Sequence, residues 1–172
     1  MSQGERIAEA VGRLDQKNSL AIDSAWASLR PLGFAVVPYL RAAYGGFRHG
    51  EGRTALVYYA TRYARIGDDA YELGLAALND RSRQVRYRAC GLLAYALRKE
   101  ALPALQSRVT DPDPLVRDAA HAAIRAIQAG NHHLFVDRSA SGQSFWSVNP
   151  GDDCQNRDPS PLAQIKSWFK NR

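Results

Sequence analysis

Leu78-Asn79-Asp80-Arg81-Ser82-Arg83-Gln84-Val85-Arg86 aligns with Val109-Thr110-Asp111-Pro112-Asp113-Pro114-Leu115-Val116-Arg117 at a constant offset of 31. The register continues with Ala89 onto Ala120, Leu92 onto Ala123, Leu93 onto Ile124 and Ala96 onto Ile127. A recurrence of this length marks a repeat architecture, in which each unit buries its apolar face only against its neighbours. Asp80 and Asp111 stand where one helix ends and the next must be capped, because a short side-chain oxygen can accept from free first-turn N–H groups. Pro112 and Pro114 fit the same place, since the first turn has no i−4 acceptor to lose.

Working outward, Val85, Ala89, Leu92, Leu93 and Ala96 follow the spacing of one helical face, and Val116, Ala120, Ala123, Ile124 and Ile127 repeat it. Between them Leu102, Leu105 and Val109 give a shorter helix with Pro103 in its first turn. Val37-Pro38-Tyr39-Leu40 echoes Leu102-Pro103-Ala104-Leu105 at an offset of 65, which carries the pattern into the N-terminal third. The periodicity predicts helices near 4–14, 19–30, 35–44, 53–65, 69–79, 83–98, 100–109 and 113–128. Gly45, Gly46, Gly50 and Gly52 read as a flexible loop holding Phe47, Arg48 and His49.

The Asp-Pro-Asp-Pro-Leu-Val-Arg run at 111–117, its degenerate copy at 80–86 and the alanine-rich helices after each resemble the HEAT-like repeat family, in the short form of about 30 residues common in bacterial proteins. The resemblance is good over 68–128, weaker over 19–66 and absent beyond 130. It implies an all-α fold, a short α-solenoid of stacked helical hairpins. It also implies that Arg86 and Arg117 ladder to the turn aspartate of the preceding repeat.

After Gly130 the composition changes. Two aromatic and β-branched runs, Asn131 to Arg138 and Gln143 to Asn149, flank Ser139-Ala140-Ser141-Gly142 and read as a C-terminal β-hairpin. Pro150 to Pro161 reads as an acidic linker. Ser160 can then cap a final short helix with Leu162, Ile165, Trp168 and Phe169 on one face. The expected organisation is a repeat domain over 1–130 and an appendage over 131–172 packed on it.

Hydrophobic residues make up 45% and charged residues 23%, ordinary globular values that exclude wholesale disorder. The longest apolar stretches, Gly33 to Leu40 and Cys90 to Leu97, are shorter than a bilayer span, and the charged start of the chain is unlike a signal peptide. Cys90 and Cys154 lie in dissimilar segments, so no disulfide and a cytoplasmic location are expected.

Net charge is +6. Residues 1–40 carry four basic and four acidic side chains and 109–172 seven of each, whereas 41–108 carries twelve against six. The excess therefore lies in the middle, where its field can attract nucleic acid, an acidic protein or anionic lipid.

No P-loop, dinucleotide fingerprint, HExxH or paired CxxC occurs, so neither an enzyme activity nor a cofactor is expected. Neighbouring His132 and His133 would point to opposite faces of a strand and make a poor metal pair. The residues with binding chemistry are the arginines and aromatics: Tyr58, Tyr59, Arg62, Tyr63 and Arg65 on one helix, Arg81, Arg83 and Arg88 one unit later, Arg48 and His49 in the glycine loop, and His132 and Trp146 in the appendage. Arginine can grip carboxylates in a bidentate fork, or contact phosphates beside rings that stack on bases.

The family resemblance covers both possibilities. It implies first a non-catalytic protein–protein interaction module, such as a bacterial immunity protein that neutralises a cognate toxin, with an acidic protein as partner and no membrane. The alternative is a DNA-binding protein similar to the HEAT-like alkylpurine DNA glycosylases. A lyase-like subunit for a chromophore is a third kind of relative.

Overall fold

The computed structural model describes residues 1–152. Cys154 and the expected final helix lie outside the described residues. Helices α1 (Gln3–Gly12), α2 (Ser19–Leu29), α3 (Val37–Tyr44), α4 (Gly50–Thr61), α5 (Asp68–Ala77), α6 (Arg83–Ala96), α7 (Leu102–Gln106) and α8 (Pro114–Ala129) follow one another, close to the spans read from the periodicity. Consecutive helices pair as hairpins. In the even row α4 packs on α6 and α6 on α8, while α1, α3 and α5 pack in a second row.

The core runs between the rows. It is built from Leu29, Leu40, Leu56, Leu73, Leu92, Leu93, Leu105, Val116 and Ile127, all buried, with alanines where helices approach closely. Ser2 closes a capping box with Glu5, Asn18 caps α2, and Asp113 accepts from the Leu115 and Val116 N–H groups to start α8. Ser19–Tyr44 has the length and mean hydropathy of a membrane span. A positive φ of 56° at Gly33 breaks it, however, and Ile22, Trp26, Leu29, Val36, Val37 and Leu40 are buried in the protein core.

A ladder along one edge fixes the stacking of the hairpins. Arg53 sends Nη1 to the carbonyls of Phe47 and Arg48, and its Nε and Nη2 to the two oxygens of Asp80 at 2.7 and 3.1 Å. One unit later Arg86 repeats this with the carbonyls of Asp80 and Arg81 and with both oxygens of Asp111, at 2.8 Å each. Arg117 donates Nη1 to the carbonyls of Asp111 and Pro112. Arg53 and Arg86 thus reach forward to the aspartate of the following turn, opposite to the direction the family resemblance implied, while Arg117 bonds only carbonyls of the turn before its own helix. Each aspartate also accepts a backbone N–H in its own turn, Ser82 for Asp80 and Asp113 for Asp111. Burial alone would raise both carboxyls, but their hydrogen bonds hold them below the usual range.

Two expectations are corrected. The glycine loop is pinned, because Asp15 accepts from the N–H groups of Arg48 and His49 and Phe47 is buried. Gly52 lies inside α4, where a Cβ would sit 2.6 Å from the Leu14 carbonyl oxygen.

The second correction concerns the C-terminal β-hairpin, which does not form: the described residues contain no strand. A 3₁₀ turn at His132–Phe135 is followed by an irregular segment lying on α8 and α6. Side chains satisfy the backbone groups that a ladder of strands would have paired. The Trp146 N–H donates to His133 Nδ1 at 2.9 Å, and the Trp146 carbonyl lies 2.9 Å from His132 Nε2. Asp137 accepts from the Ser141 and Gly142 N–H groups, and Asp152 from those of Val148 and Asn149.

Candidate functional site

The even row of helices carries a groove. Trp26 and Arg30 come from α2 and the turn after it, Tyr58, Tyr59 and Arg62 from α4 and its end, and Tyr87, Arg88 and Gly91 from α6. Phe135, Trp146 and Val148 close the end of a cavity of about 370 Å³. A second cavity of about 490 Å³ adjoins it across Tyr58, Tyr59 and Arg88, lined by Ile22 and Ala55, by Asp23 and Glu51, and by Lys17.

Helical spacing builds the first wall, because Trp26 with Arg30 and Tyr58 with Arg62 are i, i+4 pairs on one face. Tyr59 stacks flat on Trp26, centroids 4.0 Å apart, and its hydroxyl donates to Asp23 at 2.9 Å. Burial and that carboxylate keep the phenol protonated by raising its pKa. Tyr58 is half-exposed, and the Arg88 guanidinium lies 5.2 Å from its ring centroid and 5.9 Å from that of Tyr87. The guanidinium N–H donors make no hydrogen bond within the fold and are available to another group.

The far wall depends on Gly91. A Cβ there would come within 3.2 Å of Phe135 and 3.6 Å of Trp146, so the absent side chain is what seats those rings on α6.

The free charge is concentrated here. Among the described residues only the arginines Arg6, Arg30, Arg62 and Arg88 have side chains with no hydrogen bond or ion pair to another residue, and three of these line the first cavity. Most of the remaining arginines of the basic middle are paired with carboxylates from other parts of the fold: Arg48 with Asp15, Arg53 with Asp80, Arg65 with Asp152, Arg83 with Asp113, Arg86 with Asp111 and Arg98 with Asp68.

Of the residues singled out by sequence, the groove gathers Tyr58, Tyr59, Arg62, Arg88 and Trp146. Arg48, His49, Arg81 and Arg83 lie instead on the turn edge, where Arg81 donates to the Arg48 carbonyl. Tyr63 is buried against Phe34. Arg65 and His132 hold the C-terminal segment: Arg65 donates to the Tyr95 carbonyl at 2.7 Å and covers the Tyr95 ring, and buried His132 meets that ring edge-on. Sequence reasoning missed Trp26, Arg30, Tyr87 and the structural Arg53. The signal for the first two was there, as an aromatic followed four residues later by arginine at 26 and 30 and again at 58 and 62.

The family model for HEAT repeats matches residues 72–133. That segment is a pair of HEAT-type hairpins. HEAT repeats commonly mediate protein–protein interactions. No curated protein matches the sequence. Among solved structures, human deoxyhypusine hydroxylase in complex with glycerol superposes with a TM-score of 0.60 at 17% identity, over 91% of this chain and 52% of that one. The chain spans about half the length of that enzyme, and the likeness is one of fold. The shared fold covers nearly all of the chain, beyond the segment that the family model matches. Among the described residues no group of three or more His, Cys, Asp or Glu side chains is placed to hold a metal ion.

Proposed function

We propose that this chain is a non-catalytic, cytoplasmic protein-interaction module that sequesters one cognate protein, in the manner of an immunity protein neutralising its toxin. The observation that carries the reading is the groove, where three unpaired guanidiniums surround an aromatic cavity in an array whose other arginines are nearly all engaged internally. Exposed aromatic and arginine side chains at the centre of a concavity are the groups that anchor protein interfaces.

Charge placement argues against the duplex alternative. A phosphate chain needs cations along its whole path, and the groove passes from Arg30, Arg62 and Arg88 to Asp23 and Glu51 within two adjoining cavities. Affinity-tagged full-length chain expressed in its native cells tests the reading. A single protein retained in stoichiometric amount through a wash of about 0.3 M salt is the expected result. Recovery of the chain alone, or with nuclease-sensitive nucleic acid, overturns it.

A further inference from the structure

We infer that the groove reads an extended segment of its partner at two points, a carboxylate side chain entering the cavity of Arg30, Arg62 and Arg88 and an apolar side chain entering the adjoining cavity of Ile22, Ala55, Asp23 and Glu51. This rests on the protein-binding reading above and specifies its chemistry.

The first cavity has the features of a carboxylate receptor. The Arg88 guanidinium carbon lies 5.2 and 5.9 Å from the ring centroids of Tyr58 and Tyr87, its N–H donors have no partner in the fold, and carboxylates match such planar forks in two parallel hydrogen bonds. The backbone of Arg62 is tied to the C-terminal segment, its carbonyl accepting from the Asn149 side chain at 2.8 Å. Trp26, Tyr59 and Trp146 line the remainder, and their apolar surface lowers the local dielectric and strengthens a charge pair.

The second cavity has the opposite preference. Its lining is mostly apolar by area, and its charges balance, the carboxylates of Asp23 and Glu51 against Lys17 and the shared Arg88. An aliphatic side chain is therefore favoured there over a second acidic one, which would meet Asp23 and Glu51.

Geometry sets the spacing. The cavities share Tyr58, Tyr59 and Arg88, so they are neighbours across one ridge. In an extended segment, side chains two positions apart point the same way about 7 Å apart, the reach needed to straddle a single pair of side chains. A broad phosphate-tracking surface is not available, because the arginines outside the groove are almost all paired within the fold.

The test uses the full chain and fluorescein-labelled nine-residue peptides read by anisotropy. The parent peptide carries glutamate and leucine two positions apart in a serine-glycine background. The others replace the glutamate by glutamine or the leucine by a second glutamate, and a single-stranded 12-nucleotide oligonucleotide is the competitor. The parent is expected to bind, and either replacement to weaken binding by about tenfold, the size of one lost charge-assisted hydrogen bond or one like-charge contact. The double variant R62A/R88A should lose the parent by about tenfold or more, while Arg6→Ala, which removes an unpaired arginine on α1 that lines neither cavity, should not change it. Far-UV circular dichroism checks that the double variant is folded, as expected for side chains without hydrogen bonds in the fold.

Equal affinity for the glutamate and glutamine peptides overturns the inference. So does absence of binding at about 1 mM parent peptide, or an oligonucleotide that binds more tightly and is lost in R62A/R88A. A stoichiometric partner still captured by R62A/R88A leaves the protein-binding reading standing and removes this one. Selective peptide binding without any cellular partner does the reverse.

Discussion

Arg86 and Asp111, twenty-five residues apart in the chain, face each other through two parallel hydrogen bonds of 2.8 Å, with the carboxylate fully withdrawn from solvent. The same carboxylate accepts the Asp113 N–H and lies 3.5 Å from Arg108. Removing it strands a buried guanidinium, a loss of about 3–5 kcal/mol. Asp111→Ala is therefore expected to lower the urea midpoint steeply at neutral pH, whereas Asp118→Ala, on an exposed residue, should change it by less than about 0.5 kcal/mol. The R86M/D111L pair, which removes both members of the central pair and leaves only part-exposed Arg108 without its carboxylate, should recover most of the loss. A double variant no more stable than Asp111→Ala would show that charge pairing is not what joins these hairpins.

Gly91 leads to a size-dependent prediction. Alanine gains about 1 kcal/mol of helix propensity but crowds Phe135 by a few tenths of an ångström, so Gly91→Ala should be close to neutral. Leucine cannot share the space with Phe135 and Trp146, and overpacking of this kind costs about 1–3 kcal/mol. Gly91→Leu should shift tryptophan emission to the red as Trp146 leaves α6, and protease should cut within 136–148 faster than in the native chain. An unchanged emission spectrum and digestion pattern would contradict this.

His132 makes the C-terminal segment sensitive to acid. Its Nε2 is placed to donate to the Trp146 carbonyl, and its Nδ1 is buried with no partner. Burial first, and then adjacent His133, push its pKa down to about 4. Because the folded state favours the neutral ring, the stabilisation is complete above the ordinary value of 6.5 and is lost as pH falls from there to about 4. The gap amounts to roughly 3 kcal/mol. Urea unfolding of the native chain at pH 7.5, 5.5 and 4.5 should trace this decline, and His132→Gln should flatten it. Equal slopes in the two proteins would place the titration elsewhere.

Cys90 is buried in α6, and burial raises its thiol to about 12. Thiolate is scarce there at neutral pH, so the peptide containing Cys90 should remain unmodified by iodoacetamide in the native chain and react fully in denaturant. Alkylation of Cys90 within minutes under native conditions would reveal local opening of α6.

The helical order was legible because apolar spacing is local: the faces of α6 and α8 occupy the places their sequence implies, whereas the caps fall two residues later than expected, on Ser82 and Asp113, whose N–H groups donate to Asp80 and Asp111. The groove was only half legible. Tyr58, Arg62 and Arg88 share a segment rich in arginine, but which arginines remain free depends on aspartates 25 to 33 residues distant, such as Asp15, Asp80 and Asp111. Charge counts along the chain cannot reveal that pairing. The segment after Gly130 misled for a related reason. Its alternation of apolar and polar residues suits a strand, yet Asp137, His133 and Asp152 answer its backbone groups one by one, and its rings are drawn to the gap above Gly91.

One wall of the cavity, Trp146 with Val148, comes from the segment after α8, which is tied to the other walls by Asn149 on the Arg62 carbonyl and by the Tyr95 hydroxyl on Asp152. Occupancy of the cavity and attachment of that segment are therefore thermodynamically linked. Whatever presses against Trp146 slows the release of 131–152, and by reciprocity any change that loosens the segment weakens the occupant by the same factor.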